Sequence, residues 1–145
     1  MFIFDKLFAI ADLRVEDSWA NRQRNKRFRK FESLLGPGDG PLKIVDIGGT
    51  EEFWIQRGWA GRDDVHITAI NLEAKPARSS NIRVVAGDAT DLGEFSNQEF
   101  DVAFSNSVIE HLFNYQSQLS MAREVERIAR AYWVQTPNYW FPIEP

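Results

Sequence analysis

Five short runs rich in β-branched residues constrain the fold of this 145-residue sequence more than any other feature. They predict strands at 42–47, 65–72, 82–85, 100–105 and 132–136. The runs are apolar rather than alternating, and helical patterns at 51–58 and 115–130 separate some of them. These features are typical of a parallel sheet covered on both faces. The connections at 73–81 and 86–99 are close to the minimum length of a parallel crossover, so we expect short helices or none there.

The segment before the first strand has a helical pattern. Residues 2–35 place Phe28, Phe31 and Leu34 at helical spacing, and Gly36-Pro37-Gly38 then breaks the helix. We therefore predict an N-terminal helical segment over 1–40 and one domain over 41–145. The expected fold class is α/β, a three-layer Rossmann-like and mostly parallel sheet with helices on both faces.

The composition argues against several classes of protein. The sequence has no cysteine, so it offers neither disulfides nor thiolate metal sites, and its two histidines, His66 and His111, make a metal site unlikely by count. The net charge of −4 gives no general attraction to nucleic acid or to an anionic membrane. No apolar run is long enough to span a membrane, and the N-terminus does not resemble a signal peptide, so we expect a cytoplasmic protein. We interpret the basic cluster at 22–30 as a solvated helix face.

Ligands of parallel sheets bind beyond the carboxyl ends of the strands, so the residues that follow each strand are the candidates. Asp46 ends the first strand, and Gly48-Gly49 follows, where a missing Cβ lets a ligand approach the backbone. A tight turn is the simpler interpretation of two glycines alone. Glu51 and Glu52 would repel a pyrophosphate, which disfavours NAD, although both also suit the N-terminus of a helix.

The other strand ends carry hydrogen-bonding groups. Asn71 and Glu73 follow the second strand, where side chains often hold ribose hydroxyls. Asp88 follows the third strand, and it would accept a hydrogen bond from an exocyclic amine such as that of adenine, with the next backbone N–H donating to the ring. The start of a loop, an Asx-turn and a helix cap are simpler interpretations of these residues taken singly. Ser105 and Asn106 follow the fourth strand.

The order and spacing of these runs resemble the class I S-adenosylmethionine-dependent methyltransferases of the small-molecule type 11 branch. The matching runs are IVDIGGT, ITAINLE, VVAGDATDL, FDVAFSNSVIEHL and VQTPNYWFPIEP, which together cover about residues 42–145. The resemblance implies S-adenosyl-L-methionine as cofactor and a small molecule as methyl acceptor. It assigns the methionine end to Asp46, Gly48 and Gly49, the ribose to Asn71 and Glu73, the adenine to Asp88 and Ala89, and the closure beside the sulfonium to Ser105 and Asn106.

The sequence departs from the family pattern at two places. Thr50 and Glu52 replace the second and third glycines of the D-x-G-x-G-x-G turn, and the acid that ends the second strand falls on Asn71. The family also adds further strands after the fifth, whereas this sequence ends at Pro145. We therefore expect a fragment or a partner chain that covers this sheet edge, with homodimerisation as the hypothesis.

Two functions remain open at this point. The leading one is in-line methyl transfer to a small molecule, and the alternative is a catalytically silent cofactor-binding or protein-interaction domain. His111 is a weak candidate for a general base, because a structural role at a helix start is the simpler interpretation. Asn138 and Tyr139 are weaker candidates still.

Overall fold

The helix that precedes the sheet is described from Trp19 onward. The computed structural model describes residues 19–38 and 40–137, with side chains from residue 22 onward. It divides them into two units, of which the first contains helix α1 (Trp19–Leu34) and the second spans Gly38–Thr136. Phe28 and Phe31 are buried, with ring centroids 5.6 Å apart. The predicted helix is confirmed over α1, and its earlier part lies outside the described residues.

The second unit is built on a five-stranded sheet. Its elements are β1 (Leu42–Ile47), α2 (Glu51–Gln56), β2 (Val65–Asn71), β3 (Ile82–Ala86), β4 (Phe100–Asn106), a 3₁₀ turn (Ile109–His111), α3 (Tyr115–Ile128) and β5 (Ala129–Gln135). The strands pair in parallel in the order β3-β2-β1-β4-β5. The predicted Rossmann-like fold class is confirmed.

The predicted boundary between α3 and β5 is wrong. The sequence pattern predicts a helix to residue 130, but Ala129 and Arg130 belong to β5. Ala129 has the extended backbone angles φ −129° and ψ 151° and pairs with Phe100 of β4. Its N–H still donates to the carbonyl of Val125, so one residue closes the helix and starts the strand.

Helices pack on both faces of the sheet. On one face, Val45 and Ile47 belong to a buried cluster that includes Met121 and Val125 of α3. On the other face, Trp54 of α2 packs edge-on against Phe104 of β4, with ring centroids 5.3 Å apart. A fully buried side chain of this size contributes about 1.5–3 kcal/mol, so these two layers hold the sheet in place.

The connections between β2, β3 and β4 contain no helix, as their length predicts. A side-chain clamp from α3 replaces a helix in the connection that precedes β4. Arg127 donates from Nη1 to the carbonyl of Phe95 at 2.7 Å and from Nη2 to that of Leu92 at 2.8 Å. Arg127 also pairs with Glu124 at 2.7 Å, and Glu124 accepts from the N–H of Leu92. The clamp thus satisfies backbone groups that a helix would otherwise pair.

Candidate functional site

In the sheet, β1 lies between β2 and β4. After β1 the chain forms β2 and β3 on one side of it, and it then crosses back to form β4 on the other side. The crevice beyond the carboxyl ends at such a switch point is where parallel sheets bind ligands. The residues that follow β1 to β4 therefore lie together at the end of the sheet where the carboxyl ends of these strands meet. Each residue predicted to hold the cofactor lies there, whereas the candidates Asn138 and Tyr139 lie outside the described residues.

The glycine turn after β1 depends on the absence of side chains. Gly48 has φ +74°, a conformation that L side chains rarely adopt, and its N–H donates to the carbonyl of Ile70 at 2.7 Å. A Cβ at Gly48 would also overlap the side chain of Val108. Thr50 then caps α2 by accepting from the N–H of Phe53 at 3.4 Å. The turn therefore needs glycine at Gly48 and ends in a capped helix.

Asp46 is a buried carboxylate beneath this turn. Its side chain is only 2% exposed, and its Oδ2 accepts a hydrogen bond from Trp54 Nε1 at 2.7 Å. Burial raises the pKa of Asp46 to about 7, and the bond from Trp54 acts in the opposite direction. A Cβ at Gly49 would overlap the Asp46 carboxyl, so the carboxyl occupies the space that this glycine leaves. Asp46 therefore shapes the turn from below.

Hydrogen bonds join the ends of four strands. Asn71 Nδ2 donates to the carbonyl of Gly49, and the N–H of Gly87 donates to the carbonyl of Asn71 at 2.8 Å. Ser105, which is buried, donates from Oγ to the carbonyl of Ile47 at 3.3 Å. Asn71 and Ser105 thus hold the tips of β2 and β4 against the tip of β1.

The third strand leads into an Asx-turn. Asp88 is exposed, and its Oδ1 accepts from both the N–H and the Oγ1 of Thr90 at 2.8 Å. These bonds lower the pKa of Asp88. Ala89 is half-buried against the core, and Glu73 beyond β2 is exposed. Asp88 therefore forms the turn that was its simpler interpretation, and this turn uses Oδ1 but not Oδ2.

The segment after β4 turns sharply and carries an unusual carboxylate. Asn106 is half-buried, Ser107 has φ +59°, and the 3₁₀ turn follows. His111 is exposed at the end of that turn. Within the described residues, both carboxyl oxygens of Glu110 are buried without a hydrogen-bond partner. This burial is not predictable from the sequence, because a glutamate at a helix start is usually solvated.

Glu51 has a structural role that the sequence did not suggest. Its Oε1 accepts from the N–H of Arg78 at 2.9 Å and from both the N–H and Oγ of Ser79 at 2.7 and 2.6 Å. The bonds from Ser79 and then from Arg78 lower the pKa of Glu51. Glu51 therefore fixes the connection after β2 to the start of α2, while Glu52 is exposed at the turn.

The described residues carry neither a metal-ligand cluster nor a membrane-spanning helix. In the part of the chain that the structure describes, no group of three or more His, Cys, Asp or Glu side chains is arranged to hold a metal ion. Over the same residues, no helix has the length and apolarity that a membrane span requires.

Solved structures share this fold at low sequence identity. A protein from Anabaena variabilis, assigned as a methyltransferase of an antibiotic biosynthesis pathway, has a TM-score of 0.55 at 17% identity over 75% of this chain. The [4+2]-cyclase SpnF has a TM-score of 0.57 at 17% identity over 81%. An S-adenosylmethionine-dependent methyltransferase from Aquifex aeolicus has a TM-score of 0.50 at 15% identity over 72%. This chain spans only 44%, 44% and 57% of these three proteins.

Sequence comparison agrees with the fold. No curated protein matches the sequence significantly. The family model described as a methyltransferase domain, of type 11, matches residues 55–131, which is just over half of the chain. With the parallel sheet, the glycine turn and the joined strand tips, this match shows that the chain belongs to the methyltransferase domain family.

Proposed function

We propose that this chain binds S-adenosyl-L-methionine at the strand tips and transfers its methyl group to a small molecule. The observation that carries the proposal is the junction of four strand tips around a glycine turn at the switch point of the sheet. Family membership and the cofactor of the Aquifex aeolicus relative support the same reading.

The residues at the tips fit a nucleoside cofactor with a cationic tail. The turn at Gly48 and Gly49 would contact the methionine end, with the Asp46 carboxyl filling the space beside Gly49. Asn71 and Glu73 would hold the ribose, while Asp88 and Ala89 would hold the adenine. Ser105 and Asn106 would close over the sulfonium end. The exposed carboxylates of Glu73 and Asp88 suit a cationic ligand better than a pyrophosphate.

The chemistry asks little of the protein beyond binding and alignment. When bound, the cofactor supplies an activated methyl group on a positively charged sulfur. The task of this chain is to hold the acceptor in line with that group, because orientation alone can lower a barrier by several kcal/mol. His111, exposed just beyond β4, is the candidate to accept a proton from an oxygen or nitrogen acceptor.

A calorimetric titration with S-adenosylhomocysteine tests the cofactor, with NAD as the control ligand. We expect micromolar binding of the former alone. Glu73→Ala and Asp88→Asn should each weaken it about tenfold, because each removes an acceptor from a charge-assisted hydrogen bond. Asp88→Asn keeps an oxygen for Thr90 and so preserves the turn. Asp63→Asn, at an exposed carboxylate in the turn before β2, is the matched control.

The alternative is a silent domain that keeps the fold without turnover. The replaced glycines of the turn favour it. The two functions differ in whether a methyl group is transferred. The protein should therefore be incubated with labelled S-adenosyl-L-methionine and a panel of oxygen, nitrogen and carbon acceptors, and the methylated product measured. Cofactor binding with no methylated product from any of the three classes would favour the silent domain.

We also propose that two copies associate through the β5 edge. Within the described residues β5 pairs on one side only, with β4, and its Tyr132 is 68% exposed. An unpaired strand edge beside an exposed aromatic favours association. Solution scattering over a concentration series should show a dimer. A monomer at the highest concentration would contradict this proposal.

A further inference from the structure

A groove crosses the sheet at the end opposite the strand tips. It is open, has a volume of about 310 Å³, and is lined by residues near the starts of β1 to β4. Among them are Lys43, His66, Thr68 and Arg83. None of the residues assigned above to the cofactor contributes to it, so the groove is a separate feature of the molecule.

The strand register brings the basic side chains together on one face. Lys43 pairs with His66 across β1 and β2, and Thr68 pairs with Arg83 across β2 and β3. His66 and Thr68 are two residues apart, so all four side chains emerge on the same face. Arg83 Nη2 donates to Thr68 Oγ1 at 3.4 Å, which agrees with that placement. Neighbouring strands are about 5 Å apart and Arg83 lies two residues further along than Lys43, so the three basic groups start within roughly 12 Å of one another.

The positive charge of the groove is not balanced by ion pairs. Among the described residues, the ion pairs involve neither Lys43, His66 nor Arg83. The carboxylates of Asp101 in β4 and of Glu99 just before it are already engaged. Asp101 pairs with Arg130 at 3.3 Å and accepts from the N–H of Lys43 at 2.9 Å, and Glu99 accepts from the N–H of Ser96 at 2.8 Å.

Basic residues are unusual at these positions. β1 is the central strand of a parallel sheet, and such strands normally read as continuous apolar runs. Exposed charges are often merely solvated. The positive charges of Lys43 on β1 and Arg83 on β3 nevertheless repel each other when no counter-charge is present, and a bound anion removes that repulsion.

We propose that this groove binds the phosphate group of a small phosphorylated molecule. Lys43 and Arg83 supply the charge, and His66 supplies a further N–H donor. Thr68 accepts from Arg83, so its hydroxyl hydrogen remains for the ligand, and Ser80 adds a second hydroxyl at the rim. A tetrahedral anion with several acceptor oxygens uses donors that come from three strands better than a planar carboxylate does.

The test is a titration of ¹⁵N-labelled protein with inorganic phosphate and with glycerol 3-phosphate, at constant ionic strength. Glycerol and chloride are the controls. We expect saturable shifts confined to amides at 43, 66–68 and 80–83. Tighter binding of the ester than of inorganic phosphate would assign the site to a phosphorylated molecule, and equal binding would assign it to the free anion.

Variants make the proposal falsifiable. Arg83→Gln and Lys43→Gln should each weaken binding about tenfold, because each removes one charged donor. Glu99→Gln should strengthen it, because it removes the one negative charge in the lining. Arg123→Gln, on the exposed surface of α3, is the matched control. The absence of saturable shifts, or equal affinity for Arg83→Gln with an unchanged spectrum, would overturn the proposal whether or not the cofactor binds.

Discussion

The buried carboxyl of Asp46 makes the stability of the protein depend on pH in a way that one substitution removes. Its pKa rises from 3.8 to about 7 in the folded protein, because burial disfavours the ionised form. Below about pH 4 the group is protonated in both the folded and the unfolded protein. Between about pH 4 and about pH 7 only the folded protein keeps the proton, so the free energy of unfolding falls as the pH rises over this range. Above about pH 7 the group is ionised in both states, and its contribution is constant.

The magnitude follows from the two pKa values. Each unit of difference corresponds to about 1.4 kcal/mol, so ionisation of Asp46 removes roughly 4 kcal/mol of unfolding free energy in total. Asp46→Asn has nearly the same shape, does not ionise, and keeps an oxygen to accept from Trp54 Nε1. The variant should therefore equal the wild type near pH 4 and be more stable by several kcal/mol at pH 8.

Urea denaturation of both proteins from pH 4 to pH 8.5, followed by circular dichroism, measures this difference. Taking wild type minus variant cancels the titration of all other groups. Asp63→Asn, which removes an exposed carboxylate, should show no comparable trend. If the difference between wild type and Asp46→Asn is the same at every pH, Asp46 does not ionise in a buried site and the reasoning fails.

Other substitutions test the fold at separate places. Asn81→Ala should cost about 2–4 kcal/mol in urea denaturation, because the buried amide makes three hydrogen bonds to backbone groups that would lose their partner. Asn114→Ala should cost about 1 kcal/mol in the same assay, since Asn114 caps α3 by accepting from the N–H of Ser117 at 2.9 Å, and Asn114→Ser should recover most of it. Arg127→Gln should speed hydrogen exchange at residues 92–97, and unchanged protection there would contradict the clamp.

The sequence predicted the sheet well because its signals are local. Runs of β-branched residues mark the strands, and the lengths of the connections at 73–81 and 86–99 already argued against long helices there. The positions of Gly48 and Asn71 at strand tips follow from the same pattern, because parallel strands end at one edge.

Contacts between distant side chains could not be predicted in this way. The pairing of Asp46 with Trp54 and that of Glu51 with Ser79 depend on how closely α2 packs on the sheet. The basic groove depends on strand register, and a shift of one residue would put Lys43 on the other face. A single sequence carries no direct signal for either.

The central position of β1 has a consequence for synthesis. β1 pairs with β2 on one side and with β4 on the other, and β4 begins about 50 residues after β1 ends. At roughly 5–20 residues per second, a ribosome needs several seconds to synthesise this stretch of the chain. During this interval one edge of a buried strand has no partner, and such edges are where nascent chains aggregate. Chaperone demand during translation should therefore be greatest between the emergence of β1 and that of β4.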